Sequence, residues 1–256
     1  MRNHGTRVEL VRMRPHDHIG WVYAGPAAFA ALARPFLEEG ASRNERLLFV
    51  VEDPGAAEFS ELVGVFDPEV LQVLSLVEVY GPSGVVDATR QRATFVGALN
   101  DALDQGYAGI RVAADNTTLV SSAERLEAWI RWELMADRMM AESRIIGLCG
   151  FDRERVAIDR LRHLATLHPL SSAAEPRPQF LLFAEEDGLY IEGEVDSFAV
   201  EHVWLALEVL PPKTRVVLDM TRAHLRGKTA RASLGRLADA GVEVTVIGVP
   251  ELAELN

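Results

Sequence analysis

Short apolar runs alternate along the chain with stretches in which apolar residues recur every three or four positions. The runs Ile19–Tyr23, Leu47–Val51, Val73–Val79, Ile110–Ala113 and Ile145–Cys149 read as strands. Between them the helical period dominates. Pro26 stands where a first helical residue should, Phe29, Leu32, Ala33, Phe36 and Leu37 follow at helical spacing, and Gly40 is suited to close the helix in a left-handed conformation. Asp87 to Leu103 reads as a second helix. Ser121 with Glu124 forms a capping-box pattern that opens a long helix to about Ala141. Arg153 to Thr166 is helical again, and His168-Pro169 ends it, because proline disfavours helical backbone in the residue before it.

Strands alternating with helices predict an α/β unit with a parallel sheet covered on both faces. Such sheets bind ligands beyond the carboxyl ends of their strands. Those ends fall near Tyr23-Ala24-Gly25, Glu52-Asp53-Pro54, Tyr80-Gly81, Ala114-Asp115 and Cys149-Gly150.

The stretch Ser171 to Pro178 breaks the pattern. Small residues and two prolines suit neither a helix nor a central strand, so it reads as a linker between residues 1–172 and 179–256. After it, Phe180–Ala184 and Leu189–Gly193 flank Asp187-Gly188 as a hairpin. A helix from Phe198 to Leu210, capped by Asp196 or Ser197, stops at Pro211-Pro212. Val216–Met220 is a buried-type strand, Lys228–Ala240 a helix ended by Gly241, and Val242–Val249 a last strand.

The bulk properties narrow the setting. Of 256 residues, 48% are hydrophobic and 25% charged, enough to build a core without covalent staples. The net charge of -12 opposes direct binding to nucleic acid, and the arginines between Thr214 and Arg236 read as a local surface feature. The first 17 residues lack the apolar stretch of a signal peptide, and no run approaches a membrane span. The single cysteine, Cys149, fits a reducing compartment. A cytoplasmic protein without membrane attachment is expected.

Few residues carry chemistry. His18 and Cys149 invite a metal or nucleophile reading, but two ligands are too few for structural zinc, so no metal or other cofactor is expected. Cys149 reads first as a small buried hydrophobe, and His18 as either strand-end packing or pocket lining. Trp129, Trp132 and Glu133 on the long helix read as core or interface packing. No Ser/His/Asp set, H-E-x-x-H or paired glycine motif occurs, so nothing points to an enzyme. Gly227-Lys228-Thr229 suggests a phosphate loop, but its first glycine would fall on Arg222, and a bulky stretch cannot wrap phosphate with its amides.

Several fragments in order carry a family resemblance from about His18 to Pro169. They are His18 opening the first strand, Phe36-Leu37-Glu38-Glu39-Gly40, Asn44-Glu45-Arg46, Gly106-Tyr107-Ala108-Gly109-Ile110-Arg111-Val112, Leu148-Cys149-Gly150-Phe151-Asp152-Arg153, and His168-Pro169. This region resembles the MEDS family of sensory domains. The resemblance implies a RecA/KaiC-like fold without the phosphate loop, and ligand sensing instead of ATP hydrolysis. The family's aromatic residue after the fourth strand is missing from Ala114-Asp115-Asn116-Thr117.

The second unit resembles the STAS domain of anti-sigma-factor antagonists through Gly193-Glu194-Val195-Asp196 and Val216-Val217-Leu218-Asp219-Met220-Thr221. That family's phosphoacceptor serine falls here on Lys228, which leaves Thr229 as the loop hydroxyl and a helix cap worth about 1 kcal/mol. Switching by phosphate is therefore not expected.

Together these readings predict a signalling regulator. A small molecule would bind near His18, Tyr23, Asp115 and Cys149. A partner, either an anti-sigma factor or a histidine-kinase-like switch protein, would dock near Asp219, Thr221, Lys228 and Thr229. The rival readings are a nucleotide-binding protein or ATPase using Gly227-Lys228-Thr229, and a structural subunit with both sites dead.

Overall fold

The computed structural model describes residues 3–172, 178–185, 188–210, 215–237 and 241–249. The first unit is built on seven strands: β1 (Gly5–Arg7), β2 (His18–Tyr23), β3 (Arg46–Val51), β4 (Leu71–Ser75), β5 (Ile110–Asp115), β6 (Ile145–Asp152) and β7 (Leu170–Ser172). They form one sheet in the order β1-β7-β2-β6-β5-β3-β4, and every neighbouring pair is parallel. Parallel pairing requires crossovers, and the helical segments between the strands supply them. Helix α1 (Pro26–Ser42) covers one face, packing Phe29, Phe36 and Leu37 against Ile19, Phe49 and Leu148. Helices α2 (Ser60–Gly64) and α3 (Leu76–Tyr80) are single short turns. Helices α4 (Ala88–Asp104) and α5 (Ala123–Glu142) cover the other face, where Phe95, Trp129 and Trp132 meet Val50, Val112 and Phe151. Helix α6 (Ile158–Thr166) follows β6.

Local chemistry moved several boundaries from where the sequence pattern put them. The run Val73–Val79 divides at Ser75, whose side chain and that of Glu78 form a reciprocal capping box and start α3. Gly40 lies inside α1 and does not end it; Asn44 takes the left-handed conformation, with φ 58°. Gly40 is needed for closeness, since a Cβ there would sit 2.7 Å from Arg111 Cδ. The cap of α5 is Ser122, one residue later than expected; Ser121 donates to the Thr118 carbonyl instead. Residues 153–157 precede α6 and lie outside it. Ser171 and Ser172, expected in the linker, are buried strand residues of β7. The rest of that linker, residues 173–177, lies outside the described residues.

The second unit is a separate mixed sheet. It contains β8 (Phe180–Glu185), β9 (Gly188–Val195), helix α7 (Ser197–Glu208), β10 (Arg215–Leu225), helix α8 (Gly227–Leu234) and β11 (Glu243–Ile247), with strand order β11-β10-β9-β8. Strands β8 and β9 are antiparallel; the other pairs are parallel. Asp196 caps α7 by accepting from Phe198 and Ala199. Gly188 begins β9 pressed against β10, where a Cβ would fall 1.9 Å from the Val217 carbonyl oxygen. Asp187 of the expected turn lies outside the described residues.

The two sheets share packing. Ile130 and Leu134 of α5 and Leu167 belong to the same apolar cluster as Leu182, Ile191 and Val203 of the second unit. Near the other end of the chain, His4 stacks on Phe183 with ring centroids 5.5 Å apart. Among the described residues, no helix is long and apolar enough to cross a membrane.

Candidate functional site

Alternation along β2 and β6 decides which side chains meet beneath α5. His18 and Gly20 on β2, with Gly147, Cys149 and Phe151 on β6, face the same side of the sheet, and Gly20 pairs directly with Cys149. The two glycines make room. A Cβ on Gly20 would lie 2.7 Å from the His168 ring, and one on Gly147 would lie 2.6 Å from Met140 Cε. From above, α5 projects Glu133 and Asp137, spaced i, i+4 on one helical face. His168 enters just before β7.

The result is a closed polar cluster inside an apolar layer. Glu133 Oε1 lies 2.8 Å from Nε2 of both His18 and His168. Cys149 Sγ is 3.5 Å from His18 Nε2 and 3.6 Å from Glu133 Oε1. His18, Glu133 and His168 are fully buried, and Cys149 is 8% exposed. The opposite ring nitrogens are held by acceptors: His18 Nδ1 by Asp137 Oδ1 at 3.0 Å, and His168 Nδ1 by the Leu164 carbonyl at 2.8 Å. Both Nε2 atoms therefore face the centre. Asp137 reaches further, for its Oδ2 accepts from the Ala184 amide on β8 at 2.5 Å.

Burial alone would lower both imidazole pKa values. The carboxylates outweigh it, so His18 is raised well above the usual value, chiefly through Asp137, and His168 is pushed up to about 9 by Glu133. Burial would raise the Glu133 carboxyl, yet the two imidazoles, His168 foremost, hold it at about 2. The network is not fully satisfied. Glu133 Oε2 makes no hydrogen bond, while Oε1 takes the ion-pair contacts of both imidazoles. Ligand atoms of His18, Glu133, Cys149 and His168 all lie within 4.8 Å of one another, so these four could hold a metal ion.

The fold divides the four residues the sequence proposed for ligand binding. His18 and Cys149 come together in the middle of the sheet, because β6 runs on to Asp152 and Cys149 is not at its end. Tyr23 and Asp115 lie on the α1 side, at the carboxyl edge. There Thr117 Oγ1 donates to Asp115 Oδ1 at 2.6 Å, accepts from the Asp152 amide at 2.9 Å and lies 3.3 Å from the Tyr23 hydroxyl. Burial, then the Asp115 charge, raises the Tyr23 phenol far above its usual range. Beside them Asn116 is fully buried, with neither amide atom hydrogen-bonded. A separate cavity of 280 Å³ lies between β3, β4 and α4, lined by Leu48, Val50, Leu74 and Phe95.

Sequence reasoning passed over Glu133 and His168. The first looked like helix packing and the second like a helix terminator. The available signal was the Glu133/Asp137 pair, two acids on the otherwise apolar face of α5.

On the second unit, Asp219 Oδ1 accepts from the amide and hydroxyl of Thr221 at 2.9 and 2.7 Å, next to a register shift in β10. Within the arginine-bearing stretch read as a surface feature, the chain is strand up to Leu225, so Arg222 and His224 belong to β10. Four residues of strand at about 3.3 Å each separate Thr221 from Leu225. Exposed Lys228 and Thr229 therefore lie beyond the strand's far end and not beside Thr221. Thr229 is the third residue of α8 and does not cap it. The cap position is Arg226, with no side-chain hydrogen bond.

A family model described as the methanogen/methylotroph, DcmR sensory domain (MEDS) matches residues 17–169. No curated protein matches the chain.

Proposed function

The chain belongs to the MEDS family of sensory domains, and on that premise we propose that it is a signalling regulator whose second unit is a STAS-like output module. The first unit senses a small molecule. The second docks on a protein partner, an anti-sigma factor or a histidine-kinase-like switch protein in the cytoplasm, and neither unit performs catalysis. The observation that carries this reading is Asp137, which joins the buried His18 network to the backbone of β8. A change at the network can then reach the second sheet through one side chain.

Two further observations support it. The second unit's order of hairpin, helix, strand, helix, strand suits the STAS resemblance. The rival phosphate-loop reading fits poorly, because only Arg226 separates β10 from α8 and leaves no loop to wrap phosphate. At the carboxyl edge, the buried Asn116 side chain keeps unused hydrogen-bonding groups that a small molecule entering next to Asp115 would satisfy.

The test has two arms. The full chain is titrated with anti-sigma factors and histidine-kinase-like switch proteins, and a metabolite library is screened by thermal shift. A complex weakened by Lys228→Glu, together with a compound that raises Tm, is the expected result. A chain that binds no such partner and gives no shift overturns the reading.

A further inference from the structure

We propose that His18, Glu133, Cys149 and His168 form a four-coordinate binding site for one Zn2+ ion. The donor set is two imidazole nitrogens, a thiolate and a carboxylate. Hard cations such as Ca2+ and Mg2+ take oxygen ligands, whereas a mixed nitrogen, sulfur and carboxylate set suits softer ions, and four such ligands closed around one centre are the common zinc arrangement. A single cysteine cannot hold an iron–sulfur cluster.

Four of the six donor–donor distances are close to what the ion needs, and the other two lie within 4.8 Å. With zinc–nitrogen bonds near 2.0 Å and a zinc–sulfur bond near 2.3 Å, a tetrahedron has nitrogen–nitrogen edges of roughly 3.3 Å and nitrogen–sulfur edges of roughly 3.5 Å. Cys149 Sγ already stands 3.5 Å from His18 Nε2 and 3.6 Å from Glu133 Oε1. The contacts from Glu133 Oε1 to the two Nε2 atoms, at 2.8 Å, need only open by about half an ångström to admit the ion.

The surroundings fit as well. A histidine that ligates zinc through Nε2 donates its Nδ1 proton to a carboxylate or carbonyl, which fixes the ring and its tautomer. His18 does so to Asp137 and His168 to the Leu164 carbonyl. An ordinary buried ion-pair network should satisfy its members, since an unpaired buried polar atom is costly. This one leaves Glu133 Oε2 without a hydrogen bond at full burial and crowds both Nε2 atoms onto the single oxygen Oε1. Metal binding displaces the thiol proton and the imidazole protons aimed at the centre and takes the two Nε2 atoms, Sγ and a Glu133 oxygen as its ligands. The ion then ties β2, β6, α5 and the segment before β7 to one point. The inference stands apart from the role of the second unit.

The experiment uses the full chain, reduced and stripped with a chelator, titrated with Zn2+ and with Co2+ as a coloured substitute. The expected result is one ion per chain, visible Co2+ bands of a four-coordinate ion, and a near-ultraviolet thiolate-to-Co2+ charge-transfer band. Cys149→Ser, nearly the same in shape, should lose the charge-transfer band. Asp137→Asn should weaken Zn2+ by about 10- to 100-fold, and His168→Gln by at least as much. Circular dichroism without metal checks that each variant folds. X-ray absorption on the zinc-loaded unmutated chain, which needs no variant, should show one sulfur among nitrogen and oxygen neighbours. A reduced, folded chain that binds neither ion overturns the proposal. So does binding that is unchanged in Cys149→Ser and His168→Gln, or a zinc shell without sulfur.

Discussion

Arg111 is fully buried on β5, where a lone cation would be prohibitive. Its Nε donates to Glu45 Oε2 at 2.6 Å, its Nη1 reaches the Phe36 carbonyl at 2.9 Å and Glu39 at 3.2 Å, and its guanidinium lies 4.8 Å from the centre of the Phe36 ring. Removing one partner of such a group leaves the others buried without compensation. Arg111→Met should therefore cost about 3–5 kcal/mol, read from urea unfolding of the full chain. A loss below about 1 kcal/mol, the scale of an exposed pair, would show that Glu45 and Glu39 find water instead. The residues of the candidate site were only partly legible at this scale. His18 and Cys149 stood out by type. Glu133 and His168 did not, because an acid on a long helix and a histidine before proline both have commonplace explanations.

Helix α8 shows what an element decides. On the proposed STAS-like reading the switch hydroxyl would stand at the start of this helix, and here that region is Gly227-Lys228-Thr229, with Gly227 at φ 82°. Thr229 is exposed within the first turn, where the helix dipole favours negative charge. Thr229→Glu should leave the Tm of the full chain unchanged or slightly raised, and should weaken a partner complex only modestly. Stoichiometric phosphate on Thr229 after incubation with the cognate kinase, with loss of the complex, would contradict this. Element boundaries were legible where a cap or period marked them, as with Pro26 and Asp196. They shifted where two signals stood one residue apart, as with Ser121 and Ser122.

Across the whole molecule the two units meet at α5, α6 and α7. His163 of α6 and His202 of α7 bring their Nε2 atoms together at this junction. Burial first, and then the His202 charge, lower His163 to about 3; burial also lowers His202, against the Phe198 carbonyl and the nearby Glu201 and Asp196 that favour its charged form. The unfolded chain takes up a proton at each near pH 6.5, whereas folded His163 resists it down to about 3. Stability is thus lost as pH falls from about 6.5 towards 3, and is unaffected above about 6.5. Replacing His163 with Gln should flatten the acid limb of the Tm profile and leave the neutral region alone. An acid limb of unchanged slope would remove the pair from the explanation.

Sequence alone determined the α/β class, the parallel sheet, the family of the first unit and a second small α/β unit, because each rests on short-range period and motif. Tertiary structure decided the rest. Gly20 and Gly147 clear space on the sheet, and the parallel order places β2 against β6, so His18 meets Cys149 from 131 residues away. The same packing lowers Glu133 from α5 and brings His168 in before β7. It sends Tyr23 and Asp115 to the opposite face. A strand's alternation says that neighbours point apart, but only the pairing of strands says which distant side chain each one meets.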